Sequence, residues 1–518
     1  MTDREACYCP QSVLILFVTI CNILVTLGRK MAVQREALFE RARERLNDLD
    51  RLRQLGIVAK HADFSPSGVH YPPITKYPLI TEDEMFEGYS LPPDGKLDVY
   101  AHIPFCRQRC TFCHYPLKLG PKLQEEKDRY LAAIEKEMDI YLRRLGVDRI
   151  NPRSILVGGG TPTYLTPEQL RRFLTSFNER VDLKSASQFS YDVDPNTLLG
   201  DDGAERLKIM REFGVHRLTI GVQSLVPEVL RYMNRHHGRE ESVAAIKAAK
   251  EAGFKLNIEF IFGYPGQTLD NWVDVIEEAC QFDVEEIQLY RLKVEAYGDY
   301  QGPIKQVKEK KPQIVPTNED AIMMKQIAID VLREYGYTEK ILRRVFTRSE
   351  KDYSHYAHNQ CCLLYDEVGF GLATFSSLRD RFVLTTSNFD EYYSKIESGH
   401  LPLNRGLVRN QEEIVRWATI LPLKNRTIRK RDFLRVTGMR FEQIFQEKIA
   451  RLAAAGLLTE SDRDVSLTEL GRFFADEVVQ QFFAPQHLPF PAEDYAAGPM
   501  HPLNDSNPFG EAYAMAAE

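Results

Sequence analysis

The sequence predicts an α/β protein: a parallel sheet of six strands crossed by helices, followed by a smaller helical unit resembling a winged helix. Two observations carry this expectation. From Lys96 to about Leu292, short apolar runs alternate with stretches of helical periodicity. At 518 residues the chain is long enough for two or three domains and a full-sized core.

The strand candidates are LDVYAH (97–102), SILVG (154–158), QFSYDV (188–193), HRLTIGV (216–222), KLNIEFIF (255–262) and EEIQLY (285–290). Between them, helical patterns fall near 123–145, 167–179, 203–213, 240–252 and 269–281. Such alternation favours parallel pairing through right-handed crossovers, with ligands bound beyond the C-terminal strand ends. Ahead of the sheet, Ala37, Leu38, Ala42, Leu46, Leu49, Leu52 and Leu55 mark an amphipathic packing helix over Glu36–Leu55. A proline-rich stretch from Tyr71 to Pro78 cannot be helix interior. Beyond the sheet the sequence predicts a charged loop at Lys305–Lys311, a helix at Glu319–Tyr335 and a tight glycine turn at Gly369 and Gly371. From Glu412 to about Phe483 it reads as three helices, a short β segment at Val465–Thr468 and a final helix. The tail after Ala484 is rich in Pro, Ala and Asn and reads as disordered. The expected units are therefore an apolar segment (1–30), a helix with an extended stretch (31–95), the sheet (96–300), its continuation (301–404), the winged-helix-like unit (405–483) and the tail (484–518).

Composition narrows the function. Hydrophobic content of 43% and charged content of 27% are those of an ordinary soluble protein. A net charge of −7 and the lack of a long basic stripe speak against nucleic acid. Nine cysteines in so long a chain make no disulfide scaffold and suit a reduced cytoplasm. Val13–Leu27 is apolar but short for a membrane span, and the preceding residues carry Asp3, Arg4 and Glu5. The favoured expectation is a start at Met31 and no membrane association.

The chemistry lies in Tyr100-Ala-His-Ile-Pro-Phe-Cys-Arg-Gln-Arg-Cys-Thr-Phe-Cys-His114, just after the first strand. Cys106, Cys110 and Cys113 can ligate three irons of one [4Fe–4S] cube and leave the fourth iron open. A zinc site with a distant fourth ligand, or plain buried thiols, are the alternatives. Gly158-Gly159-Gly160-Thr161-Pro162-Thr163 follows the second strand on the same side, where glycines let backbone approach a ligand.

These motifs resemble the HemN-like branch of radical S-adenosylmethionine (SAM) proteins. That branch includes oxygen-independent coproporphyrinogen III oxidases, the heme chaperone HemW, heme-degrading relatives and class C methyltransferases. The likeness runs from about Tyr71 to Phe483 and includes Asp192-Val-Asp-Pro, Gly221-Val-Gln-Ser, Asn234-Arg235, Glu259-Phe-Ile-Phe-Gly-Tyr-Pro-Gly-Gln-Thr268 and a C-terminal Leu-Thr-Glu-Leu-Gly-Arg. It implies a partial (β/α)6 barrel and a HemN-type C-terminal domain. It also implies that Cys106, Cys110 and Cys113 hold the cluster, with SAM on the open iron. Phe112 and Ile261 would pack on the adenine, and Gly159, Gly160 and Thr161 would hold the methionyl amino end. Gln223 and Arg235 would contact ribose and carboxylate, while Tyr100 would lie near the sulfonium. Asp192 and Glu259 replace the Glu and Asp of the oxidases and keep a carboxylate at each position.

By the same resemblance, SAM is cleaved to a 5′-deoxyadenosyl radical with an electron from a flavodoxin- or ferredoxin-type reductant. Departures from the oxidase pattern, among them Cys113-His114-Tyr115 in place of Cys-Gly-Cys, favour class C methyl or methylene transfer to an sp2 carbon. Coproporphyrinogen oxidation or heme degradation is the alternative, then heme carriage. Methyl transfer would place a second SAM near Asn359–Ser377, with Gly369, Gly371 and Phe375 as candidates. The implied substrate is an aromatic or tetrapyrrole small molecule, and the expected protein is a cytoplasmic monomer.

Overall fold

In a computed structural model, the described residues are 34–60, 70–121, 123–296 and 300–509; the apolar segment 1–30 lies outside them. The six expected strands form as β1 (Lys96–Ile103), β2 (Asn151–Gly159), β3 (Phe189–Val193), β4 (Arg217–Gln223), β5 (Lys255–Phe262) and β6 (Glu286–Arg291). They pair in that order and every pair is parallel. The crossovers are helices α2 (Gln124–Leu145), α3 (Pro167–Arg180), α4 (Gly200–Glu212), α5 (Arg239–Glu251) and α6 (Leu269–Gln281).

Local chemistry fixes these boundaries. The Thr166 side chain caps α3 in a capping box with Gln169, and Pro167 takes the first turn, where its missing N–H costs nothing. Gly146, at φ 68°, ends α2. Along β1, Leu97, Val99, Ala101 and Ile103 are buried against the helices, while Asp98 and His102 are buried on the opposite face. Apolar outside and polar inside is the pattern of a barrel whose interior holds a site.

The sheet then grows at both edges. After α7 (Ile304–Lys310) and α8 (Asn318–Glu334), β7 (Thr338–Glu339) and β8 (Val345–Thr347) extend the β6 edge, antiparallel. On the other edge, β9 (Glu367–Phe370) pairs parallel with β1, followed by antiparallel β10 (Phe375–Leu378), β11 (Arg381–Thr385) and β12 (Leu403–Val408). Twelve strands thus form one sheet, ordered β12-β11-β10-β9-β1-β2-β3-β4-β5-β6-β8-β7. The expected loop at Lys305–Lys311 is instead the helix α7. Ile304 is fully buried there, and Val307, one turn later, packs on the same apolar group.

The C-terminal unit is winged-helix-like. Helices α9 (Gln411–Lys424), α10 (Lys430–Thr437) and α11 (Gln446–Ala454) pack with a three-stranded sheet of β13 (Thr427–Arg429), β14 (Leu458–Glu460) and β15 (Asp464–Leu467). The tail expected to be disordered is ordered from 484 to 509. Tyr495 and Met500 are buried in the C-terminal core, Lys448 donates to the Pro502 carbonyl at 3.0 Å, and Arg416 donates to that of Ser506. Its composition hid these anchors. Helix α1 (34–55) joins the two cores, with Leu38 and Ala42 in the barrel core and Leu49 and Leu52 in the C-terminal one. No helix among the described residues is long and apolar enough to cross a membrane.

Candidate active site

The cysteine loop leaves the C-terminal end of β1. Phe105–Cys106 pairs with Lys118–Leu119 and closes the loop at its base. Its far side is tied to the segment after the short helix Pro227–Tyr232. Thr111 donates from its backbone N–H to the Met233 carbonyl (3.0 Å) and from its hydroxyl to that of Tyr232 (2.9 Å). Gln108 donates to the Asn234 carbonyl, and Asn234 donates to that of Arg109, each at 2.7 Å.

All three cysteines are free thiols, half-buried. Cys106 Sγ lies 3.3 Å from Thr161 Oγ1, and Arg235 donates to Cys110 Sγ at 3.2 Å. Burial pushes the Cys106 thiol up to about 12 and raises that of Cys113 as well. Thiols so held become good ligands once a metal takes the place of their protons. Among the described residues no three His, Cys, Asp or Glu side chains converge as ligands of a single ion would. Three sulfurs spaced around a loop, with an arginine against one of them, suit separate corners of an iron–sulfur cube. The residues therefore fit a cluster.

The glycine run is required by its neighbours. A Cβ on Gly158 would stand 2.6 Å from Asp192 Oδ2 and 3.3 Å from the Tyr100 hydroxyl. One on Gly159, at φ +116°, would meet the His102 ring at 2.9 Å, and one on Gly160 would meet Leu117 and the Phe105 backbone. Gly159, Gly160 and Thr161 thus lie against the cysteine loop, where the Thr161 N–H donates to the Phe105 carbonyl at 2.9 Å. Tyr100 and His102 share a hydrogen bond, hydroxyl to Nδ1, at 3.1 Å. Burial lowers His102 to about 4, so the imidazole is neutral at pH 7, and its Nε2 has no partner.

Arg235 is held from several sides. It donates to Asp194 at 2.8 Å and to the Gly221 carbonyl at 2.8 Å, beside His237 Nδ1 at 3.3 Å; its Nε is buried without a partner. Burial alone would raise Asp194, but Arg235 and then His236 outweigh it and hold the carboxyl below the usual range. Gln223 takes a left-handed φ of 68°, a strained conformation at the strand end beside Gly221.

Asp192 and Glu259 face the same interior. Burial pushes Asp192 up to about 6 against the pull of Arg217 and Thr219; burial and then Asp192 push Glu259 up to about 8. Below them Arg217 grips Glu286 with two hydrogen bonds, 2.6 and 2.8 Å. Phe112 and Ile261 fall in one apolar group with Val229, Met233, Tyr264, Leu292 and Ile304, a wall able to take a flat aromatic ring.

Of the second-site candidates, two serve the turn itself. Gly371 donates to Glu137 Oε2 at 2.7 Å, and a Cβ there would meet the Tyr130 hydroxyl; one on Gly369 would meet the Phe375 carbonyl. Phe375 joins an aromatic group instead, its ring 4.4 Å from His70 and 5.6 Å from Phe382.

Beside that group lies a set of buried cations the sequence did not reveal. Arg409 lies 4.1 Å over Trp417 and 5.4 Å from Phe382, 3% exposed, and none of its three guanidinium nitrogens has a hydrogen bond among the described residues. Burial, Arg409 and Lys424 together lower His70 to about 3. Arg343, Arg344 and Lys424 all bond the one carboxylate of Asp476, at 2.8, 3.0 and 2.9 Å. Burial, then Lys424 and Arg344, push the Lys293 ammonium down to about 6. Lys293 in turn ties back to the cysteine loop, its carbonyl 3.0 Å from His114 Nε2. His102, Asp194 and His236 stand inside or beside motifs visible in the sequence, yet their partners were not legible there. Arg409 sits in no motif.

The Radical SAM superfamily pattern matches residues 100–279, and the HemN C-terminal domain pattern matches residues 423–474. The heme chaperone HemW of Bacillus subtilis is 27% identical over 390 residues, which cover 74% of this chain and 98% of that protein. The oxygen-independent coproporphyrinogen III oxidase of Salmonella typhimurium is 27% identical over 449 residues, 83% of this chain and 95% of the oxidase. Among solved structures, coproporphyrinogen III oxidase (HemN) from Escherichia coli superposes with a TM-score of 0.68 at 24% identity, over 80% of this chain and 96% of its own. The barrel, its edge extensions and the C-terminal unit thus form a HemN-like fold.

Proposed function

We propose that this chain, which carries the Radical SAM and HemN C-terminal domain patterns, is a HemN-like radical SAM enzyme that oxidises a carboxylate-bearing porphyrinogen, as the coproporphyrinogen III oxidases among its relatives are named to do. The observation that carries the reading is the buried Arg409 guanidinium set against Phe382 and Trp417. Arg409 is a buried cation whose guanidinium has no hydrogen bond among the described residues, with Tyr77, Glu413 and Asp380 as the acidic groups acting on it, and Arg343, Arg344 and Lys424 gather on Asp476. Burying such charges is costly unless an anion arrives. A tetrapyrrole with several propionates is an anion of that kind, with a flat body for Phe375, Phe382 and Trp417.

A [4Fe–4S] cluster on Cys106, Cys110 and Cys113 would supply the electron that cleaves SAM to the 5′-deoxyadenosyl radical. The chain's own residues bind and orient. Arg235, fixed by Asp194, presents a planar grip for the SAM carboxylate. Asp192 and Glu259 offer acceptors to the ribose hydroxyls and the ammonium and, when protonated, can also donate to a ribose hydroxyl. Phe112 and Ile261 cover the adenine, and the glycines admit the methionyl end. Gln223 would contact the ribose from the strand end, and Tyr100 would stand by the sulfonium.

The alkyl-transfer expectation finds no support in these relatives, and Gly369 and Gly371 are spent on the turn. Whether one or two SAM molecules bind is part of the test. A second reading, heme carriage, draws on the HemW likeness, which spans almost the whole of that chaperone. The reconstituted protein is given SAM, dithionite and coproporphyrinogen III without oxygen. The expected result is carbon dioxide and a vinyl-bearing product, with 5′-deoxyadenosine and no S-adenosylhomocysteine. Appearance of S-adenosylhomocysteine would restore methyl transfer. One equivalent of stably bound heme with no SAM cleavage would replace the enzyme reading by the carrier.

A further inference from the structure

Away from the cysteine loop, a cleft of about 110 Å³ lies between α1, α8, β7 and the short helix Glu469–Phe473 of the C-terminal unit. None of the three cysteines, the strand-end glycines or the interior carboxylates lines it. It is well beyond the roughly 10–15 Å³ that a single water needs. Four cations line it, Arg45, Lys325, Arg333 and Arg472, against two carboxylates, Glu339 and Glu469. Their pairing is uneven. Arg333 donates to Glu469 at 3.0 Å across the exposed mouth, and Arg45 donates to Asp48 at 2.9 Å and to Gln326 at 2.7 Å. Glu339 accepts from the Arg344 N–H at 2.6 Å. Lys325 donates to the Phe473 carbonyl, and its ammonium and the Arg45 guanidinium stand 4.4 and 5.2 Å from the centre of the Phe473 ring. Burial and then Arg343 lower the Lys325 ammonium despite Glu339, Asp476 and Glu477. Arg472 is left over. Its guanidinium makes no hydrogen bond and no ion pair among the described residues, although its Nε is buried. The carboxylate it acts on, Glu469, is shared with Arg333 and Arg45, and Arg426 adds a further cation beside it.

A buried donor without an acceptor is rare in a native protein, and here it belongs to a cation. A water could accept from Nε, but it would leave the cleft's cations facing carboxylates that are already engaged. An anion answers both needs. Because the cations come from three elements, α1, α8 and the Glu469–Phe473 helix, an acceptor with oxygens on several sides fits better than a planar carboxylate, which serves one guanidinium fork. We propose that this cleft binds a small phosphate-class dianion, free phosphate or the phosphate of a small monoester, at a site separate from the SAM site. The bound anion would bridge α1 and α8 to the C-terminal unit. The inference needs neither the cluster nor the porphyrinogen reading.

The test titrates inorganic phosphate into the reconstituted full-length protein by calorimetry, in potassium chloride of about 0.15 M so that diffuse attraction is screened. The expected result is saturable binding of one phosphate per chain, about tenfold weaker in Arg472→Gln and about threefold weaker in Arg333→Gln at the mouth. Since the Arg472 guanidinium has no hydrogen bond to lose, Arg472→Gln should melt at the wild-type temperature in chloride alone. A control, Lys208→Gln/Lys247→Gln on the exposed faces of α4 and α5, should bind within about twofold of wild type. Glycerol 3-phosphate separates the two sources: tighter binding than that of phosphate identifies an ester, weaker binding the free ion. In hydrogen exchange, phosphate should slow the amides around Phe473. Binding that does not saturate, that is weakened equally in the control, that is unchanged in Arg472→Gln or that is abolished by SAM would overturn the proposal. If Arg472→Gln failed to fold, Arg333→Gln and the exchange pattern decide, and no change in either would overturn it as well.

Discussion

The two ends of the barrel interior are built from the same residue types and are finished differently. At the lower end Asp98 accepts from Ser154, from Asn359 at 2.9 Å and from Gln360 at 2.9 Å, and Tyr356 donates to Glu367 at 2.6 Å. Every donor in that set has an acceptor. At the upper end His102 Nε2, Arg235 Nε and His236 Nδ1 are buried without partners, and Asn257 Oδ1 is left so midway. Buried polar atoms in native proteins are nearly always satisfied, so a set left open together marks where a ligand completes the network. Polarity alone does not identify the site; the unfinished bonding does.

Substitutions should separate the two ends. Cys110→Ala, at the upper rim, is expected to abolish 5′-deoxyadenosine formation and the cluster's absorbance while the far-ultraviolet circular dichroism stays that of wild type. Arg235→Leu should lower SAM cleavage by about a hundredfold, the loss of a charge-assisted carboxylate contact, chiefly through KM for SAM. Arg217→Met reverses the pattern. It strands Glu286 inside the barrel and should cost about 3–5 kcal/mol in denaturant unfolding, with little effect on SAM affinity in the folded fraction. Gly158→Ala pushes a methyl against Asp192 and Tyr100 and should weaken SAM binding by roughly tenfold, read by equilibrium dialysis. Arg235→Leu also strands the buried Asp194 and is expected to lose stability too, so a loss of SAM affinity in Arg217→Met as large as in Arg235→Leu is the outcome that would erase the distinction between the ends.

The smallest effect is a matter of pH. Burial, and then Asp98, lift the Glu367 carboxyl from 4.5 to about 8 against the bond from Tyr356. Its folded value stands above the unfolded one, so its stabilisation is complete below about pH 4.5 and is lost as pH rises through about 8. Glu367→Gln keeps an acceptor for Tyr356 and cannot ionise. Its melting temperature should fall less than that of wild type between pH 5 and 8, and parallel curves would show that Glu367 does not drive the decline.

The six strands were legible because each is a short apolar run bounded by turns, and the motifs around Gly159, Gly160, Thr161 and Gln223 were legible as strand ends for the same reason. Other features had no local signature. Arg409 is a single basic residue after β12, and its environment comes from Trp417, Phe382 and His70, distant in sequence. The tail beyond Ala484 reads as disordered by composition, since Leu488, Tyr495 and Met500 are too sparse to show periodicity; they find the C-terminal core only in three dimensions. The segment at 305–311 reads as a charged loop because its lysines outnumber Ile304 and Val307, the two residues that dock it. The alkyl-transfer expectation weighed local departures such as His114 and Tyr115 more heavily than the long-range likeness. His114 in fact ties the cysteine loop to the β6 exit, accepting from the Gly302 N–H at 2.9 Å.

Helix α1 works as a strut. Riveted to the barrel by Leu38 and Ala42 and to the C-terminal unit by Leu49 and Leu52, it resists any hinge between the two bodies. A rotation of one body against the other would have to break this helix's packing in one core or the other, so the barrel and the C-terminal unit are expected to move as one piece.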